Sequence, residues 1–152
     1  MGEPTGPTAG VFEGREHVLP VRVYYEDTDL TGVVYHANYV RYFERGRSDF
    51  LRLAGVSHAS LLLLDDPAAF AVTRLVIEFR QAARIDDALE VRTLFESTRG
   101  VRLNIAQRIM RDETLVASAV VEVVCIDAKG RARRPPKQVI DAVRPWFSAP
   151  AP

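Results

Sequence analysis

The order of elements in this 152-residue chain predicts an α+β domain in which a curved antiparallel sheet of about five strands wraps a long central helix. Three observations carry that expectation. Residues 36–54 place Tyr39, Val40, Phe43, Phe50, Leu51 and Ala54 at helical spacing, with Arg41, Glu44, Arg45 and Arg52 around the remainder. The segments after residue 67 alternate with a period of two, as strands with one buried face do. Residues 115–126 are apolar at nearly every position, the pattern of a strand covered on both faces.

Each element follows from local chemistry. Residues 1–15 and 148–152 read as tails around a domain spanning 16–147; the amino end, "MGEPTGPTAG", lacks the basic start and apolar stretch of a secretory signal. A strand runs from His17 to Tyr25, with Val21, Val23 and Tyr25 on one face and Arg22 and Tyr24 on the other, and Pro20 sets its beginning at an edge or irregularity. Gly55 stops the long helix, and Ser57 to Leu64 adds a turn or two before Pro67. Leu75, Ile77 and Phe79 then alternate with Arg74, Glu78 and Arg80; Leu89 and Val91 with Glu90 and Arg92; Val101, Leu103, Ile105 and Ile109 with Arg102, Asn104 and Arg108. "STRG" at 97–100 and "RDET" at 111–114 suit hairpin turns, and a short helix at about 137–144 closes the domain. The long helix covers one face of the sheet, so the doubly apolar strand calls for a further cover, most simply a second copy of the chain. A homodimer is therefore expected.

Composition excludes several classes. Twenty Lys and Arg balance twenty Asp and Glu, which leaves no global drive toward nucleic acid or an anionic membrane. The longest strongly apolar stretches, 61–64 and 115–126, are too short for stable membrane insertion. The single cysteine, Cys125, lies in an apolar run and reads as a buried reduced thiol, so the default location is cytoplasmic.

The stretch "YYEDTDLTGVVYHANYV", residues 24–40, carries the chemistry. Asp27 and Asp29 close the first strand, Thr31 and Gly32 supply a turn, and Tyr35 and His36 open the helix. A helix start offers unpaired N–H groups and a positive dipole end, which stabilise an oxyanion developing on a carbonyl. A carboxylate held beside it can attack an activated carbonyl or take a proton from water, and His36 can orient substrate or assist proton transfer. Taken alone, Asp29 is equally a turn or capping carboxylate, and Asp27 fits a structural role in bonding turn amides. Glu26, Asp27, Asp29 and His36 are donors that a hard cation accepts, but their spacing matches no established loop, so no metal is expected.

The string from Asp29 to Tyr39, "DLTGVVYHANY", resembles the active-site signature of the hotdog-fold 4-hydroxybenzoyl-CoA thioesterase family. "VRVYYEDTD", "GVVYHANYVRYFERGRSDFLR", "VIEFRQAARIDDALEV", "RGVRLNIAQRI" and "VVCID" extend the likeness over about 18–140, and are similar to the bacterial acyl-CoA thioesterase subgroup associated with the Tol-Pal envelope system. The resemblance implies a hotdog fold, paired into dimers and often tetramers, and hydrolysis of an acyl-CoA thioester without a cofactor. It implies that Asp29 is the catalytic carboxylate, as nucleophile or general base, and that the backbone N–H at His36 polarises the thioester carbonyl. Tyr35 becomes a pocket residue. Coenzyme A phosphates then need cations near the pocket mouth, for which Arg99 in "STRG" and Arg134 and Lys137 in the basic run after Gly130 are candidates; the ordinary reading of such residues is a solvated turn. A second reading is a non-catalytic hotdog-fold protein that binds acyl thioesters or an acyl carrier protein for the cell envelope.

Overall fold

The computed structural model describes residues 9–148. The tail expectations for residues 1–8 and 149–152 lie outside the described residues. Six antiparallel strands form one sheet in the order β1-β2-β4-β5-β6-β3: β1 (Val11–Glu13), β2 (Glu16–Arg22), β3 (Ala69–Phe79), β4 (Ala88–Arg99), β5 (Arg102–Arg111) and β6 (Thr114–Ile126). Helix α1 (His36–Leu53) packs against one face of it, with α2 (His58–Leu62) after it and α3 (Lys137–Val143) near the end of the chain. This is the hotdog architecture, with one strand more than the five expected.

Period-two alternation puts Leu89, Val91 and Phe95 of β4, Leu103, Ile105 and Ile109 of β5, and Val121 and Val123 of β6 on the inner face. Tyr39, Tyr42, Phe43, Phe50 and Leu51 of α1 meet them, and Phe50 stacks on Phe95 at 4.2 Å between ring centroids. Burying this many large side chains contributes roughly 1.5–3 kcal/mol for each, the dominant stabilising term. The helix approaches β4 so closely at Gly46 that a β-carbon there would stand 2.7 Å from Val91 Cγ1 and 2.8 Å from Thr93 Oγ1. Cys125 is fully buried and free, in β6.

Two boundaries differ from the sequence expectation. Part of the expected amino-terminal tail is structured: β1 pairs with β2, the Gly10 N–H donates to Asp49 Oδ2 at 2.8 Å, and Phe12 stacks on Trp146 at 3.8 Å. The first strand also stops at Arg22, because Tyr25–Asp27 coil into a single 3-10 turn, closed by the Asp27 N–H donating to the Tyr24 carbonyl at 3.0 Å. Strand β3 is longer than its clean alternation, which begins only after a bulge between Val72 and Arg74.

The middle of the outer side of the sheet is not covered by the described residues. Val120 of β6 and its register partner Val76 of β3 remain exposed there. Among the described residues β3 pairs on one edge only, with β6. No described helix is long and apolar enough to cross a membrane.

Candidate active site

The loop between β2 and α1 is drawn tight by its own backbone. The Asp29 N–H donates to the Val33 carbonyl at 2.9 Å, and Gly32, with φ of +78°, donates back to the Asp29 carbonyl at 3.1 Å. A left-handed residue closes this turn, which suits glycine. Asp27 is spent on structure: its Oδ2 accepts the Tyr24 N–H at 2.8 Å, and its carbonyl accepts the Tyr35 N–H at 2.9 Å and Asn38 Nδ2 at 2.8 Å. That ties the loop to the first turn of α1, in the structural role expected for Asp27.

Asp29 is left facing outward. Its Oδ1 accepts the Thr31 hydroxyl at 2.6 Å and the Thr31 N–H at 2.8 Å, while no described residue donates to Oδ2. The Thr31 hydroxyl, backed by its amide, holds the Asp29 carboxyl below the usual carboxylate range. The group is therefore ionised at neutral pH with one oxygen available as nucleophile or base. It lines an open hollow with Tyr25, Thr28, Leu30, Gly32 and Ile85.

The helix start stands in a second hollow, lined by Val34, His36, Tyr39, Phe79, Arg80 and Gln81. Tyr35 is the N-cap but its side chain caps nothing, and its ring tilts against the His36 ring at 4.5 Å. The Asn38 N–H turns back to the Tyr35 carbonyl at 2.8 Å, whereas the His36 and Ala37 N–H groups meet no acceptor among the described residues. Those two amides are the open end of the α1 dipole. The Ala83 N–H donates to Tyr39 Oη at 3.1 Å and its carbonyl accepts the Val34 N–H at 2.8 Å, which locks the segment after β3 against the loop.

Of the residues singled out from sequence, Asp29, Tyr35 and His36 thus gather at one end of the sheet, where Ala88 opens β4 and Phe79 ends β3. Arg99, Arg134 and Lys137 do not join them. Arg99 pairs with Arg102 at the far end of β4, eleven residues from Ala88 and so about 36 Å away. Arg134 follows Arg133, which is bonded at 2.9 Å to Asp66, and Lys137 pairs with Asp141 at 3.1 Å; both belong to that far end. Cations that the sequence pattern did not single out stand nearer: Arg80 in the His36 hollow, and Arg84, bridged to Val33. Their signal was present only as the polar half of an alternating strand and its exit. Among the described residues no group of three or more His, Cys, Asp and Glu side chains gathers in the way a metal ion needs.

A family model described as the thioesterase-like superfamily matches residues 23–147. The chain belongs to that superfamily. Its thioesterase-like relatives include the acyl-CoA thioester hydrolase YbgC of Escherichia coli O6:H1, 46% identical over 123 residues that cover 80% of this chain and 90% of the relative. The acyl-CoA thioesterase YbgC of Haemophilus influenzae is 43% identical over 109 residues, covering 72% and 79%. A probable thioesterase from Bartonella henselae superposes with a TM-score of 0.78 at 38% identity, over 80% of this chain and 99% of that one. The family resemblance of the Asp29 to Tyr39 string is therefore borne out in fold and in relatives.

Proposed function

We propose that this protein hydrolyses the thioester of an acyl-coenzyme A, with Asp29 as nucleophile or general base and the His36 and Ala37 amides polarising the carbonyl. The observation that carries this reading is an ionised carboxylate with a free oxygen, tied through one short loop to an uncapped helix start, in a chain whose YbgC relatives bear that activity in their names. Water enters, the thioester C–S bond breaks, and the thiol of coenzyme A leaves with a proton. His36, exposed beside Tyr35, orients the substrate. No residue requires a cofactor for these steps. The setting is cytoplasmic, in keeping with a role beside the Tol-Pal envelope system.

Within one protomer Asp29 and the helix start line separate hollows, so a closed cleft needs a second copy. The free edge of β3, with Val72, Val76 and Phe79 exposed along it, is the surface for that pairing. Antiparallel edge-to-edge pairing of β3 carries the far end of the partner's sheet toward the Asp29 end of the first. The residues equivalent to Arg99, Arg134 and Lys137 then reach the pocket mouth from the partner, beside Arg80 and Arg84, where phosphates of coenzyme A require cations.

Thiol release from a series of acyl-CoAs, with Asp29→Asn as control, tests the reaction. Loss of about two to four decades in kcat with the fold intact is expected; equal turnover in both proteins, or none in either, returns the chain to a hotdog-fold acyl-thioester or acyl-carrier-protein binder. Val72→Lys combined with Val76→Lys tests the assembly by sedimentation: a monomer without turnover is expected, and an unchanged assembly refutes pairing through β3.

A further inference from the structure

The two hollows beside the loop differ in chemistry. Tyr25, Leu30 and Ile85 give the Asp29 hollow exposed apolar walls, whereas His36, Arg80 and Gln81 line the helix-start hollow. A thioester whose carbonyl lies between Asp29 and the helix start sends its two arms opposite ways. The acyl arm is the apolar one and the coenzyme A arm carries amides and phosphates, so the acyl group enters the Asp29 hollow and the thiol arm leaves past Arg80. This division rests on the hydrolase reading above.

One segment, residues 80–87, walls both hollows, with Arg80, Gln81 and Ala82 in one and Ile85 in the other. Its middle is fixed at Ala83, bonded to Val34 and Tyr39 Oη, and at Arg84, bridged to Val33. Its end is held by Val23, whose N–H donates to the Asp87 carbonyl at 3.0 Å and whose carbonyl accepts the Asp86 N–H at 2.9 Å, and by Arg22 Nη1 on the Asp86 carbonyl at 2.8 Å. Arg111, the last residue of β5, clamps the span: its Nη1 donates to the Ala82 carbonyl at 3.0 Å and to Asp87 Oδ2 at 2.8 Å. The same Asp87 oxygen accepts the Arg84 N–H at 2.8 Å. Asp86 is held left-handed, with φ of +68°, a conformation that a non-glycine residue keeps only where its surroundings impose it. Ile85, between Arg84 and Asp86, is therefore a fixed wall, and its branched β-carbon stiffens the side chain as well. It is 42% exposed, against 84% for Tyr25 and 107% for Leu30.

We propose that Ile85 is the residue that selects the acyl group at the carbon next to the thioester carbonyl, and that Arg111, acting through Ala82 and Asp87, is the positioning residue that keeps it there. The first acyl carbon beyond the carbonyl lies in the hollow that Ile85 shares with Asp29. A methyl branch at that carbon meets the Ile85 side chain, while a straight chain passes it. The substrates so selected are acyl groups unbranched beside the carbonyl.

The test follows thiol release by the full chain from two pairs of esters, butyryl-CoA with α-methylbutyryl-CoA and palmitoyl-CoA with α-methylpalmitoyl-CoA. The straight-to-branched ratio of kcat/KM is the readout. Ile85→Ala is expected to lower that ratio about 10-fold or more, the discrimination that a methylene-sized change in an apolar site supports, and Ile85→Val lowers it by less. Arg111→Met lowers the ratio about 3- to 10-fold in the parent and leaves it unchanged where Ile85 is already alanine, an interdependence that a general loss of stability does not produce. Should Arg111→Met fail to fold, Ile85→Ala and Ile85→Val decide. A ratio unmoved by Ile85→Ala, or an Arg111→Met effect as large in the Ile85→Ala background as in the parent, overturns the assignment and leaves hydrolysis standing. No thiol released from any of the four esters by the parent removes the hydrolase reading, and this inference with it.

Discussion

Replacing Asp49 with asparagine perturbs a buried pair that holds the amino-terminal strap to the core. Asp49 is 6% exposed on α1, and its Oδ2 accepts both the Gly10 N–H and His17 Nε2 at 2.8 Å, while Oδ1 takes Arg52 at 3.3 Å. Asparagine keeps one acceptor and brings an NH2 group to face a donor. One charge-assisted bond lost in the interior costs about 1.5–3 kcal/mol, and the half-exposed Arg52 pair adds about 0–1 kcal/mol. The expected loss is about 2–4 kcal/mol, which for a domain of this size lowers Tm by about 5–15 °C. Urea and thermal unfolding at fixed protomer concentration measure it, since assembly shifts apparent stability. An Asp49→Asn protein within about 0.5 kcal/mol of the parent refutes the energetic role given to the pair.

The same pair fixes a pH dependence. The His17 ring is wholly buried, between Phe12 and Phe50, and its Nδ1 meets no hydrogen-bond partner among the described residues. Burial holds the imidazole below its ordinary pKa, and the carboxylate of Asp49 bonded to it only partly opposes that. In the unfolded chain histidine takes its proton near pH 6.5. Below that value the unfolded state binds a proton that the native state refuses, so the contribution of His17 is complete above about pH 6.5 and declines as pH falls through the window beneath it. One proton limits the slope to about 1.4 kcal/mol per pH unit. His17→Phe keeps an aromatic ring against Phe12 and Phe50 and removes the titration. The difference between parent and variant in stability from pH 7 downward isolates the effect from the carboxylates, which titrate lower. A difference that is flat, or that grows in the parent's favour on acidification, contradicts it.

Three further perturbations have defined outcomes. Thr31→Val removes the hydroxyl that holds the Asp29 carboxyl low, so the acid limb of the kcat/KM profile moves to higher pH, while turnover on the plateau stays within a few fold. Gln107→Leu strands Arg47, Thr93 and the Phe43 carbonyl in the interior and costs about 2–4 kcal/mol by urea unfolding, with the assembly state unchanged from the parent's. Arg92→Met cuts the surface ties to Glu13 at 3.2 Å, and to Glu16 and Glu90 at 2.8 Å, that join β1, β2 and β4; its cost is about 1–2 kcal/mol at low salt and shrinks as salt is added.

What the sequence disclosed, and what it hid, divides by the range of the interaction that decides each feature. The long helix was legible because its apolar stripe is written within eighteen consecutive residues with Gly55 just beyond them, and the place of Asp29 in the turn before that helix was legible because the turn closes through bonds of its own, from Thr31, Gly32 and Val33. Strand β1 was not, since three residues show no period and its anchor is Asp49, thirty-nine positions from Gly10. For the same reason the sequence shows nothing of the role of His17: the chain places it on an ordinary strand, and only the fold brings Asp49 and Phe50 to its ring. Gln107 and Arg47 carried the opposite disguise: the strand and helix periods place both on buried faces, their polar type points to solvent, and only the fold shows that they bond to each other. Arg99, Arg134 and Lys137 fail in one protomer by the length of the sheet, because spacing along a chain says nothing of which strand ends converge. Their place near Asp29 depends on a partner's sheet running the other way along β3, so the site and the assembly stand or fall together: a protein that hydrolyses acyl-CoA as an isolated monomer would remove the reason for assigning those cations any part in it.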